Sequence, residues 1–253
     1  MKLYIPSNIY AGILKSIIEK KIQLEIIIKE SSLLYKELEN DVEAIALIPS
    51  MDLINHRNLF VSSKAGISFD GSLSNSYFYL TENEEKTIGK ILLRGDVSLN
   101  EIILTKILFE ERFSSDVEIV LDTHKEPDGN QNTLVIGSEN FSLWDYNSGI
   151  SFSDQMAELL ELPYVNFILA SYSKENISRL ENNFEGIDTY VEENIATILN
   201  GMDIKTETKR YIQENIGSIY FEMTSNETEA LNEMIKIVYY HGILDDIFDV
   251  KFV

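Results

Sequence analysis

Four points along the chain set small hydroxyl or amide residues where an apolar run gives way to a helix-like segment: Ser7-Asn8, Pro49-Ser50, Gly71-Ser72 followed by Ser74-Asn75, and Ser98. In an open α/β sheet the carboxyl ends of the strands face the crevice where ligands bind. The helix N-termini that follow offer free N–H groups to an anion. Singly, each serine is simply a good N-cap. Together, Ser7, Ser50, Ser72, Ser74, Asn75 and Ser98 predict a neutral, donor-rich cleft for a small carboxylate. His56, His124 and His241 share no metal-ligand spacing and each reads as a surface or packing residue, so no metal site is expected. The chain has no cysteine, which excludes thiol catalysis and disulfides. It also lacks the Gly-x-Gly-x-x-Gly, P-loop and Gly-x-Ser-x-Gly patterns.

The segments that would hold these residues alternate between strand and helix. Residues 2–5 form a short apolar run, and Ser7 can cap a helix over 8–20, where Ile9, Ile13 and Ile17 repeat at helical spacing. Isoleucine-rich residues 22–28, a short helix from Ser31 or Ser32 to Glu39, and the run 44–48 follow. The rhythm recurs as a strand over 88–93, a helix capped by Ser98 running to Arg112, strands over 117–121 and 133–136, and a helix over 152–161. Such alternation predicts βαβ units and a parallel sheet, built twice. The aromatic and branched stretches 74–81 and 164–171 read as two hinge strands carrying the chain between lobes. Residues 1–80 with 172–253 then make one lobe, residues 81–171 the other, and the cleft between them is the expected ligand site. From 174 onward the pattern is helical, over 177–184, 189–199, 207–214 and 228–247, packing back on the first lobe. Tyr77, Phe78 and Tyr79 read as core, and Trp144, Asp145 and Tyr146 as a roof or plug.

The composition excludes several classes of partner. Of 253 residues 42 are acidic and 21 basic, a net charge of −21, which disfavours nucleic acid and anionic membrane surfaces. No apolar run approaches the roughly 20 residues that span a bilayer. The amino-terminal stretch breaks at Pro6-Ser7 before an apolar segment of signal-peptide length develops, so a cytoplasmic location is expected. The oligomeric state is not legible.

The run EAIALIPSMDLI, followed by GISFDGSLSNSYFYL, resembles the futalosine-pathway chorismate dehydratase family of menaquinone biosynthesis, whose fold is that of type II periplasmic binding proteins. The pieces GDVSLNEIILTKILFEERF, TLVIGSENF, MAELLELPYVNFILAS and YIQENIGSIYFEMTSNETEALNEMIKIVYYHGIL continue the match in order over essentially the whole chain. The resemblance implies a two-lobed fold and a hydro-lyase acting on chorismate or a similar cyclic carboxylate. That reaction removes a ring proton and expels hydroxide, needing an acid, a base and carboxylate anchors but no cofactor. Asn8 is then the candidate catalytic amide and Asp70 the candidate acid or base, although Asp-Gly also serves as a turn. The departures fall where the chemistry would be. Asn8 is displaced by two positions from the family's Ser-Tyr-Leu-Asn segment. The family's Ser-Arg-Thr-Ser turn is Ser98-Leu99-Asn100-Glu101 here, without the arginine that would pair with a carboxylate. Ser138 precedes Glu139 where the family commonly has an acid directly. A non-catalytic small-molecule-binding protein on the same scaffold is the second reading. The third is an interaction protein whose cleft is filled by its own Tyr10, Leu99 and Glu101.

Overall fold

A computed structural model describes residues 1–81, 88–126, 129–142 and 148–253. Trp144, Asp145 and Tyr146 lie outside the described residues. In chain order the first elements are β1 (Lys2–Pro6), α1 (Ile9–Lys21), β2 (Glu25–Lys29), α2 (Leu34–Asn40), β3 (Ile45–Pro49), β4 (Phe60–Phe69) and β5 (Ser76–Tyr79). Then follow β6 (Lys90–Gly95), α3 (Leu99–Phe113), β7 (Glu118–Leu121), β8 (Thr133–Ile136), α4 (Glu139–Ser142), β9 (Ile150–Ser151), α5 (Phe152–Leu160) and β10 (Tyr164–Ser171). The chain ends with α6 (Lys174–Glu181), α7 (Ile187–Asn200), α8 (Thr206–Glu214), β11 (Ile219–Glu222), α9 (Ser225–Tyr240) and β12 (Lys251–Phe252). Short 3-10 turns at Ser31–Leu33 and Ser50–Ile54 follow β2 and β3. No helix among the described residues is long and apolar enough to cross a membrane.

The strands form two sheets. The larger has the order β11-β4-β10-β3-β1-β2, with β12 beside the start of β4. β1 pairs in parallel with β2 and β3, whereas β10 runs antiparallel to both β3 and β4. All five residues of β3 and all eight of β10 are buried, the pattern of strands covered on both faces. The smaller sheet has the order β7-β6-β8-β5-β9, with β6, β7 and β8 parallel and β5 antiparallel to its neighbours. The predicted parallel βαβ units are therefore present at the start of each lobe, and the later strands make both sheets mixed.

Two placements differ from the expectation. Residues 164–171 are a central strand of the larger sheet, and residues 76–79 belong to the smaller one, so each of the two stretches is held within one lobe's sheet. An aromatic and branched run satisfies a buried strand in any sheet, so its composition gives no hint of which sheet recruits it. The chain crosses instead through the turn 70–75 and through α5. The carboxy-terminal region is not wholly helical either, since β11 and β12 extend the larger sheet. α9 starts at Ser225, where Thr224 and Glu227 form a capping box, and stops before Gly242 at φ +68.

The core is continuous between the lobes. Phe109 of α3, Phe78 of β5, Phe152 of α5 and Tyr164 of β10 form a chain of ring contacts with centroids 5.6, 5.7 and 5.5 Å apart. Tyr77 and Phe78 are buried, as the core reading expected.

Where β6 ends, Gly95 adopts φ +101, and a Cβ there would collide with the Ile136 carbonyl oxygen of the paired strand β8. A side chain would have to open the sheet where its strands reach the cleft. Gly95→Ala is expected to destabilise the protein by about 3 kcal/mol or more, read as a lowered denaturant midpoint with an unchanged m-value. An unchanged midpoint would contradict this geometry.

Candidate functional site

The first turn of α3 locks onto the larger sheet. Ser98 caps the helix, and Asn100, two residues on, is fully buried. Its Oδ1 accepts from the Met51 N–H at 2.9 Å and from the Ser50 hydroxyl at 3.3 Å, and its Nδ2 donates to the Asn166 carbonyl at 2.7 Å. One amide thus ties α3 to the end of β3 and to β10. Beside it Glu101, 1 % exposed, accepts through Oε2 from the N–H and hydroxyl of Ser98, and through Oε1 from the hydroxyl of Ser76. Burial pushes its carboxyl up to about 7 against the opposing bonds from Ser98, and the charge of Asp96 adds to the rise.

Most of the predicted ligand-binding residues are engaged in this closure. The Ser74 hydroxyl donates to the Ser76 carbonyl at 2.6 Å and meets that of Ser153 at 2.8 Å, while the Tyr10 hydroxyl donates to the Ser74 carbonyl at 3.1 Å. Asn75 is buried, with its carbonyl accepting from Gly137. Ser72 lies at the surface and donates to Asn215. Ser50, Ser74, Asn75 and Ser98 are brought together, then, but as an interlobe seam. Tyr10 and Glu101 fill that seam as the third reading expected; Leu99 instead borders an open cavity.

Asn8 and Asp70 are not brought together. Asn8 caps α1, its Oδ1 accepting from the Ala11 N–H at 2.8 Å, and lines a hollow of about 180 Å³ with Met202. Asp70 is exposed beside Asp154 and Glu158, in a different hollow.

The open space of the cleft lies to one side of the seam. A cavity of about 540 Å³ sits where β1 and β2 of one sheet and β6, β7 and β8 of the other present their carboxyl ends. Ser7 and Glu30 border it from the larger lobe, and Arg94, Asp96, Asp122 and Glu139 from the smaller. Arg94 is buried, and its guanidinium makes four hydrogen bonds. It pairs with Asp122 at 2.9 Å and Glu139 at 2.6 Å, and donates to the carbonyls of His124 and Lys125. Burial tends to raise the Asp122 carboxyl, but hydrogen bonds from His124 and Arg94 hold it below the usual range. Asp96 accepts from the N–H of Ser31 at 2.8 Å and from its hydroxyl at 2.7 Å, closing the cavity's rim across the lobes. Four carboxyl groups around one neutralised guanidinium make an acid-lined chamber, which favours a cation or a neutral donor over an anion. Among the described residues no group of three side chains could hold a metal ion.

No family model and no curated protein matches the sequence. Solved structures do. The periplasmic aliphatic sulphonate binding protein SsuA of Escherichia coli is 10 % identical, with a TM-score of 0.56, over 99 % of this chain and 90 % of that one. The fold is that of the periplasmic binding proteins. An ABC transporter structure from Parabacteroides distasonis reaches a TM-score of 0.60 at 13 % identity, covering 95 % of this chain and 92 % of the other. A Candida albicans gene product described as having the generic periplasmic binding protein fold gives 0.55 at 10 %, covering 99 % and 92 %. The periplasmic-binding-protein-like α/β architecture expected from the sequence is what the chain adopts. These likenesses support the fold and do not reach the chorismate dehydratase family within it.

Sequence reading missed the residues that shape the open chamber. Arg94, Asp96 and Asp122 sit at strand ends, in ILLRGDVS and EIVLDTH, where a charge terminates an apolar run. Charges at the carboxyl ends of predicted parallel strands were the available signal.

Proposed function

We propose that the protein binds a small polar molecule, without catalysis, in the acid-lined cavity between its lobes. What supports this is the cavity's position at the carboxyl ends of five strands drawn from both sheets, the place where open α/β sheets take their ligands. Its lining points to a neutral polar or cationic ligand, because a carboxylate would meet Glu30, Asp96 and Glu139 with Arg94 already paired. The four bordering carboxyl groups accept hydrogen bonds when ionised, which suits a ligand rich in hydroxyl or amino hydrogens.

A hydro-lyase acting on chorismate is the second reading. What favours it is the Nδ2 of Asn8, which is buried at the end of β1 with no hydrogen-bond partner among the described residues.

A ligand that binds only the folded state at 100 times its Kd stabilises it by about 2.7 kcal/mol, which a melting curve resolves. In a thermal-shift panel, polyols or polyamines are expected to raise the melting temperature, and benzoate and chorismate to leave it unchanged. Chorismate incubated with a high concentration of the folded protein is expected to yield no new aromatic absorbance. Stabilisation by chorismate with formation of an aromatic product would replace the binding reading with the enzymatic one.

A further inference from the structure

A second cavity, of about 580 Å³, lies across the Ser31–Asp96 contact from the first. Both linings include Ser32 and Val97, so the two spaces flank one narrow wall. The second is built differently. Tyr35 from α2 stacks on His56 with ring centroids 4.3 Å apart and planes 26° apart. Leu99 and Ile102 of α3 face the same space, giving it apolar sides. Asp52, from the turn after β3, also lines it.

Asp52 is the unusual member. The residue is 2 % exposed, and its Oδ2 has no hydrogen-bond partner among the described residues. Among the described residues no lysine or arginine borders the cavity, and the other ionisable groups there are Glu39, His56 and the Tyr35 phenol. Burial lowers His56 below the usual histidine range, so it contributes a neutral ring at neutral pH. Glu101 lies close enough behind Asp52 to raise its carboxyl further, after burial has done most of that work, to about 7. A buried acceptor with nothing to accept from is rare in a folded protein and marks a place where a donor belongs. Here the residue that carries the acceptor lines a cavity with aromatic and aliphatic walls and only negative charge. A ligand with an ammonium at one end and a flat apolar body answers each of those features.

We propose that the cavity bordered by Tyr35, His56, Leu99 and Ile102 is a binding site for a small aromatic amine, whose ammonium group donates to Asp52. The site is separate from the acid-lined cavity and does not require that a ligand bind there.

The test uses the full chain at pH 8 with phenethylamine as probe, followed by calorimetry and by the chemical shifts of the His56 ring. The isosteric anion 3-phenylpropionate and the neutral 2-phenylethanol serve as controls. Phenethylamine is expected to bind saturably and to shift the His56 resonances, with both controls at least tenfold weaker. Because the protein carries a net charge of −21, any cation accumulates near it, so the decisive comparison is Asp52→Asn. That substitution keeps the volume and removes the charge; it should weaken phenethylamine at least tenfold, whereas Glu30→Gln in the neighbouring cavity should leave it unchanged. Should Asp52→Asn fail to fold, Leu99→Trp, which fills the cavity from its wall, is the second variant and is expected to abolish binding. Saturable binding that survives whichever variant folds, binding lost in Glu30→Gln, or no His56 shift at saturation would each overturn the assignment.

Discussion

Raising the pH from 5 to 8 should destabilise this protein by about 3 kcal/mol or more. Asp52 and Glu101 are both held near 7 inside the fold, first by burial and then by neighbouring carboxylates, Glu101 on Asp52 and Asp96 on Glu101. In the unfolded chain both ionise near 4. Between about pH 4 and pH 7 the folded state therefore holds protons that the unfolded state has released. Stability that is full below pH 4 is lost progressively until the folded carboxyls ionise, and levels off above that. Asp188, raised to about 6 by burial, acts in the same direction, while Asp122 acts in the opposite one. For a chain of this size the loss corresponds to a fall of roughly 5–10 °C in melting temperature. Glu101→Gln, which retains a capping-box side chain, should flatten the dependence and stabilise the protein at pH 8. A melting temperature that is constant or rises from pH 5 to pH 8 would show that both carboxyls are ionised in the fold.

Asn100→Ala should cost about 4 kcal/mol. The substitution strands the Met51 N–H and the Asn166 carbonyl in the seam, and both depend on the one side-chain amide described above. Each buried group left without a partner costs about 1–3 kcal/mol, and the space vacated by the amide adds to that. Asn100→Asp is no remedy, since it sets a carboxylate oxygen against the Asn166 carbonyl beside the buried Glu101. Both variants should lower the urea midpoint at constant m-value. As a control, Ser72→Ala, which removes one exposed hydrogen bond, should stay within about 0.5 kcal/mol of the parent.

The fold was legible where local pattern is sufficient. Ile9, Ile13 and Ile17 announce α1; Ser98 announces the start of α3; Pro49-Ser50 marks the end of β3. What was not legible depends on partners far away in sequence. β4, the longest strand, contains Ser62, Ser63 and Lys64 and alternates poorly, so nothing local separates it from a loop; its place is fixed by β10 and β11. The candidate site shows the same division. Of the serines at the strand ends, Ser50, Ser74 and Ser98 come together while Ser7 and Ser72 lie elsewhere, and a hydroxyl that could meet a ligand meets another side chain just as well. Ser50 meets Asn100, a partner 50 residues away that no local pattern announces. Asp52 carries no sequence signal at all, because its significance comes from burial and from a missing partner.

The position of β10 also bears on how the molecule is made. The smaller sheet draws its strands from residues 76–151 alone, and near the amino terminus β1 pairs with both β2 and β3. β4 finds its neighbours only among β10, β11 and β12, the nearest of them almost a hundred residues downstream. During synthesis the smaller lobe has all its strands while a ten-residue strand upstream of it still has both edges open. Such an edge is where chains pair wrongly with one another, and Lys64 sets a charge in its middle. Arrival of β10 seats β4 against β3's sheet after all the strands of the smaller sheet have been made.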